Sequence, residues 1–152
     1  MVSLKKFKKI LILSGGISEE RNISKLSANH VYETIKNELK TKILDVSDNA
    51  QEFLSKIQKY RPNVIFNCLH GNFGEDGQIQ SILNYLRIPY THSGVLTSAI
   101  LMNKIISKKL FKSLSISTPQ SINEINIRSQ KLKFPLIIKP INGGSSYGLI
   151  KI

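Results

Sequence analysis

Ile10-Leu11-Ile12-Leu13, followed by Ser14-Gly15-Gly16-Ile17-Ser18-Glu19-Glu20-Arg21, decides the fold class. Four aliphatic residues without polar alternation suit a strand covered on both faces, the habit of parallel sheets. Gly15-Gly16 marks a turn. Ser18 then reads as a helix N-cap, with Glu19 and Glu20 in the first turn. There a carboxylate offsets the positive helix end by about 0.3–1 kcal/mol. Ile23, Leu26, Val31, Ile35 and Leu39 continue as an apolar stripe at roughly helical spacing.

The same alternation carries outward. Residues 42–46 read as a second strand, and Phe53, Leu54 and Ile57 as the face of a short helix. Residues 63–67 form a third strand after Pro62. Ile79, Ile82, Leu83 and Leu86 line another helix, and residues 89–91 begin a fourth strand. Strands alternating with helices predict an α/β fold, a doubly wound parallel sheet with right-handed crossovers, closing near residue 93. A longer helix is expected over roughly 95–115, with Leu96, Ile100, Ile105 and Leu110 inward and Lys104, Lys108 and Lys112 on another side. A small helix around 123–130 and two strands, 134–139 and 148–152, complete the chain. A loop between two short strands is a hairpin, so the topology changes here. A hairpin alone is marginal in water, and this second region reads as unfinished.

Composition sets bounds. The chain has 152 residues, 41% of them apolar, and a net charge of +12. Residues 1–76 hold 12 Lys and Arg against nine Asp and Glu, whereas residues 77–152 hold ten against the lone Glu124. The lysines are scattered and no aromatic run alternates with them, which argues against a nucleic-acid surface. Cys68, the single cysteine, excludes an intrachain disulfide and points to a reducing compartment. Its apolar neighbours suit an inert buried thiol. The basic N-terminus has too short an apolar run for a signal peptide, and no segment is long enough to span a membrane. A cytoplasmic protein is expected.

Two Gly-rich segments carry the chemistry. His70-Gly-Asn-Phe-Gly-Glu75-Asp76-Gly77 follows the third strand, and Lys139-Pro-Ile-Asn-Gly143-Gly144-Ser145-Ser146-Tyr-Gly148 follows residues 136–138. Ligands of open α/β sheets bind at such carboxyl ends. Three glycines in seven residues imply a tight loop and close approach, and Asp76 suits a cap for the next helix. A lone histidine at a strand end is more often structural, fixed by a backbone carbonyl, than catalytic, and the three glycines raise the odds of a functional role for His70. A Gly/Ser tip beside a lysine can fold its amides over a triphosphate, although Gly-Gly is also an ordinary turn. The first turn is neither a Walker A loop nor G-x-G-x-x-G. Its acidic helix start would repel phosphate and suits an ammonium group. The combined reading is part of an ATP-dependent enzyme.

In order, Gly15–Arg21 with Ser24, Leu69–Gly77, Pro89–Gly94, Met102–Lys104, Ile138–Pro140 and Gly144–Gly148 resemble the D-alanine–D-alanine ligases of the ATP-grasp superfamily. The resemblance runs from about residue 8 onward. It implies a Rossmann-like N-terminal domain, residues 1–93, then the beginning of a truncated ATP-grasp α+β domain, residues 94–152. It implies that Glu20 holds the amino group of the first D-alanine, that Ser145 joins Glu20, and that His70 lies near the reacting carboxylate. Lys104 and Lys139 would bind ATP phosphates beneath Gly144, Ser145, Ser146 and Gly148. The implied reaction phosphorylates one D-alanine with ATP and joins it to a second, giving the dipeptide used for peptidoglycan. Mg²⁺ would be held by carboxylates of a C-terminal part not in this chain, which has no metal ligands of its own; the complete enzyme would be a homodimer. Two positions depart from the family pattern: Asn103 where Asp is usual, and His92 where Gly is usual. The alternatives are another ATP-grasp carboxylate–amine ligase and a non-catalytic binding or docking domain.

Overall fold

The structure, a computed structural model, describes residues 7–122 and 134–152. The elements run β1 (Lys9–Gly15), α1 (Arg21–Ile35), β2 (Lys40–Val46), α2 (Ala50–Tyr60), β3 (Val64–Asn67), α3 (Gln78–Tyr85), α4 (Val95–Met102), α5 (Lys104–Ser113), β4 (Ile137–Ile138) and β5 (Ile150–Lys151). β1 lies between β2 and β3, and both pairings are parallel.

The uninterrupted apolar run of β1 now has its physical explanation. Alternate residues face opposite sides of a strand. Leu11 and Leu13 join Phe53 and Ile57 of α2 and Ile79 and Leu83 of α3 on one side. Ile10 and Ile12 join Ala28 of α1 and Cys68 on the other. Helices therefore cover both faces, as the doubly wound reading requires. The inner faces expected for α2 and α3 are found. Asn49 caps α2 by accepting from Glu52 N at 2.9 Å, and Tyr60 OH donates to Ile10 O and Lys40 O at 3.1 Å.

Four local expectations change. First, α1 turns Ser24 and Ala28 inward and leaves Ile23 and Leu26 49% and 58% exposed, while Val31, Ile35 and Leu39 of the expected stripe do pack against the core. Small side chains let the helix approach the sheet, and Ser24 Oγ donates to Cys68 O at 2.6 Å. Second, the fourth strand shrinks to one parallel bridge, Ile65 with Tyr90. Pro89 has no N–H for a ladder. The Thr91 hydroxyl accepts from Asn67 N at 3.0 Å, and the chain turns away at His92, φ 98°.

Third, the single helix over 95–115 is two helices. Asn103 is extended between them, and its side chain accepts from Ile105 N and Ile106 N at 3.0 Å each, a favoured N-cap arrangement. Ser98 and Ser107 are the buried residues of this pair, whereas Leu96 is 73% exposed. Fourth, the terminal hairpin is short: Ile137 pairs with Lys151 and Ile138 with Ile150, antiparallel and all four exposed, and Leu136 and Ile152 exchange backbone bonds at 2.7 and 2.9 Å. Glu124 and the helix expected around 123–130 lie outside the described residues.

These packing differences are measurable. Ser24→Ala, which strips Cys68 O of its buried hydroxyl donor, is expected to lower stability to urea by about 1–3 kcal/mol. Leu26→Ala is expected to change it by no more than about 0.5 kcal/mol. The reverse ranking would show that Leu26, not Ser24, packs on the sheet.

Candidate functional site

The site begins where β1 ends. Gly15 has φ 81°, and a Cβ there would lie 2.2 Å from Asp45 Oδ1, so only glycine fits the turn. Arg21 fixes the turn by donating from NH1 to Gly16 O at 2.9 Å and Val46 O at 3.0 Å, and from NH2 to Asp45 at 2.7 Å.

Ser18 is not the N-cap expected from its position. The helix opens at Arg21, with Glu20 in the cap position and no acid in its first turn. The Ser18 hydroxyl is occupied elsewhere: it accepts from Glu20 N at 3.2 Å and donates to His70 O at 2.7 Å. It thus ties the end of β1 to the end of β3, some 50 residues away.

That tie brings Glu20 to the His70 loop. Glu20 is 7% exposed. Its Oε2 lies 2.6 Å from where a Cβ of Gly71 would stand and 3.4 Å from the same point on Gly144. The carboxylate therefore sits between the two Gly-rich segments, and a side chain at residue 71 would collide with it. Among the described residues nothing donates a hydrogen bond to this carboxylate.

His70, which precedes Gly71 in that loop, is half-buried. Its Nδ1 lies 3.8 Å from Glu75 Oε1, and Ser27 Oγ lies 3.2 Å from its Nε2. Glu75 Oε2 accepts from Gly71 N at 2.8 Å, which closes the loop on itself. Asp76 has the capping role expected of it, accepting from Gln78 N at 3.1 Å, and also receives Phe73 N at 2.8 Å.

The second Gly segment meets α5. Lys104 N donates to Ile141 O at 3.0 Å and Lys104 Nζ to Gly143 O at 2.7 Å. A cleft of about 180 Å³ is lined by Lys104, Lys139, Gly144, Ser145, Ser146 and Tyr147, among others. Ser145 and Ser146 both have positive φ, 47° and 61°. Ser145 is exposed and makes no hydrogen bond to Glu20 here; its neighbour Gly144 is the point of approach. Gly148 has φ 69° and packs against Pro140. The structure thus brings the Glu20 carboxylate close to Gly71 and Gly144, and Gly144 also lines the cleft that holds both lysines.

A second cleft, about 310 Å³, shares Gly143 and Gly144 as a wall and is lined by Glu75, Gln80, His92, Ser98 and Met102. Gln80 Nε2 donates to Gly74 O at 2.9 Å, and its Oε1 is buried without a partner among the described residues. Asn67 Nδ2 donates to Gly74 O at 2.9 Å and lies 3.1 Å from His92 Nδ1. Sequence reasoning assigned no role to Ser27, Asn67 or Gln80. Asn67 stands at the strand end, where such residues gather; Ser27 had no signal beyond its spacing from Ser24. Among the described residues no three His, Cys, Asp or Glu cluster to hold a metal ion.

The family model described as D-ala D-ala ligase N-terminus matches residues 44–93. A D-alanine–D-alanine ligase of Pelagibacter ubique is 52% identical over 149 residues, which is 91% of this chain and 48% of that protein. The crystal structure of D-alanine–D-alanine ligase from Bacillus anthracis aligns with a TM-score of 0.74 at 32% identity, covering 94% of this chain and 48% of that one. The same enzyme complexed with ATP aligns with a TM-score of 0.69 at 34% identity, over 88% and 47%. The chain spans about half the length of the curated relatives it matches.

Burial raises the Cys68 thiol to about 11. At pH 8 about one such thiol in a thousand is ionised, and the thiolate is the nucleophile. Iodoacetamide is therefore expected to modify the native chain at least about a hundredfold more slowly than the urea-unfolded chain, whose thiol has an ordinary pKa near 8.5. Equal rates would show Cys68 to be accessible and its burial wrong.

Proposed function

This chain is a homologue of the D-alanine–D-alanine ligases, matching their N-terminal portion, and from that premise we propose that it forms the amino-acid-binding half and part of the nucleotide-binding half of such an enzyme. In this reading residues 1–93 are the Rossmann-like domain and residues 94–152 the opening of the ATP-grasp domain. The observation that carries the reading is the Glu20 carboxylate. It is buried, without a donor among the described residues, and wedged between Gly71 and Gly144. Its oxygens keep some contact with solvent, and a carboxylate so enclosed gains from a charged or hydrogen-bonding partner. The ammonium group of a small amino acid fits that need.

The chemistry proposed is that of the family the chain resembles. ATP transfers its γ-phosphoryl group to the carboxylate of the first D-alanine, releasing ADP and forming an acyl phosphate. The amine of the second D-alanine attacks the acyl carbon, inorganic phosphate leaves, and the amine loses a proton. Glu20 anchors the first ammonium, so its carboxylate falls within reach of His70. Lys104 and Lys139 stand in the cleft beneath the Ser145–Gly148 loop, where positive charge and backbone amides offset charge on the transferring group. Lys104 must exchange its present bond to Gly143 O for a phosphate oxygen, which makes it the adjustable member of the pair.

Mg²⁺ would accompany the ATP and supply charge neutralisation at the phosphates. The described residues hold no set of ligands for it, so no step here passes through the metal. The remaining length of the relatives is the proposed source of metal ligands and of a cover for the exposed Ile137, Ile138 and Ile150. None of the described helices is long and apolar enough to cross a membrane; a cytoplasmic homodimer is proposed.

The test is D-alanine-dependent phosphate release from ATP with Mg²⁺, measured with this chain and a second polypeptide that spans the remaining half of a relative. Release that needs both is the expected result. Lys139→Ala is expected to weaken ATP binding at least about tenfold, the worth of a charge-assisted hydrogen bond of about 1.5–3 kcal/mol. Glu20→Gln is expected to raise the KM for D-alanine. Unchanged ATP affinity in the first variant and unchanged KM in the second would refute the roles given to these residues.

A further inference from the structure

Ser27 has no part in the reaction above, yet it touches the imidazole. It lies three residues beyond Ser24 on α1, so the two share a face of the helix. That face runs along the chain as it leaves β3. Ser24 Oγ donates to Cys68 O at 2.6 Å, and Ser27 Oγ lies 3.2 Å from His70 Nε2.

The other ring nitrogen faces a different kind of group. His70 Nδ1 lies 3.8 Å from Glu75 Oε1, and Glu75 is itself held, because its Oε2 accepts from Gly71 N at 2.8 Å. An ionised carboxylate can only accept, so it attracts a ring that carries hydrogen on Nδ1. In a neutral ring Nε2 is then an acceptor and needs a donor, which a hydroxyl supplies by rotating its hydrogen.

We propose that Ser27 is a positioning residue which, together with Glu75, holds His70 as the Nδ1–H tautomer in one fixed orientation. The functional meaning rests on the reading of His70 as a site residue; the geometry does not. With a hydroxyl at hydrogen-bond distance from Nε2 and a carboxylate facing Nδ1 from 3.8 Å, too far for a hydrogen bond but near enough to attract an N–H, the two edges of the ring are unequal. A carboxylate arriving between Glu20 and Gly144 meets an imidazole of one defined polarity. A Ser→Ala change at residue 27 leaves the ring in place but frees Nε2 to take the hydrogen.

The chain has three histidines, so ring resonances are few. Long-range ¹H–¹⁵N correlation of the uniformly ¹⁵N-labelled 152-residue chain at pH 8, with His70 identified by its loss in His70→Gln, reads the tautomer directly. The wild type is expected to show His70 as a single Nδ1–H form. Ser27→Ala is expected to shift both ring nitrogens toward the tautomer average. Ser27→Thr, which keeps the hydroxyl, is expected to restore the wild-type pattern, and Ser27→Val, of the same shape without it, is expected to resemble Ser27→Ala. The Thr and Val pair separates loss of the hydroxyl from loss of packing should the alanine variant fold poorly. An Nε2–H ring in the wild type, or identical ring shifts in the Thr and Val variants, would overturn the assignment. No substrate is in the sample, so that result leaves the ligase reading standing. Failure of the phosphate-release assay overturns the ligase reading and leaves the tautomer assignment untouched.

Discussion

Three hydroxyls hold the site together. Ser18, Ser24 and Ser27 come from the turn after β1 and the first half of α1, and they reach His70 O, Cys68 O and the His70 ring. All three contacts fall within three residues of the chain leaving β3. Polar groups buried at such a junction must be paired, and a pairing spread over three side chains fixes rotation as well as distance. Hydrophobic contact alone would let α1 slide on the sheet. The serines set where it stops, and so place Glu20 opposite Gly71.

The close approach explains the glycines. Glu20 Oε2 occupies the space a Gly71 side chain would need and lies within ordinary contact of Gly144. A carboxylate is thereby brought near two loops that belong to separate sheets. At the second loop Lys104 and Lys139 line a cleft of opposite charge. One strip of backbone, Gly143–Gly144, lines both this cleft and the one that holds Glu75, Gln80 and His92.

Much of the fold was legible because its signals are apolar and periodic. The run Ile10–Leu13 announced a strand covered on both faces, and Phe53, Ile57, Ile79 and Leu83 lie where their spacing put them. Misreadings came where polar side chains overrode hydrophobic ones. Ser24 and Ala28 turned α1 away from the Ile23–Leu26 stripe. Asn103 capped a new helix inside an apolar stretch, and the Thr91 hydroxyl replaced a ladder bond. Glu20 and His70 were visible as candidates because glycines surround them. Ser27 was not, since its partner is 43 residues away and one hydroxyl on a helix resembles any other.

The central proposition is a shared cavity: Glu20 and the Gly143–Gly148 loop serve one amino acid and one nucleotide together. Backbone amide shifts of the ¹⁵N-labelled chain, recorded as D-alanine and then a non-hydrolysable ATP analogue are added, examine it directly. The account predicts that D-alanine moves Gly71 and Gly144 together, that the nucleotide moves Lys104, Ser145 and Ser146, and that Glu20→Gln abolishes the D-alanine response while sparing the nucleotide one. D-alanine shifts that survive Glu20→Gln unchanged, or that avoid both Gly71 and Gly144, would contradict it.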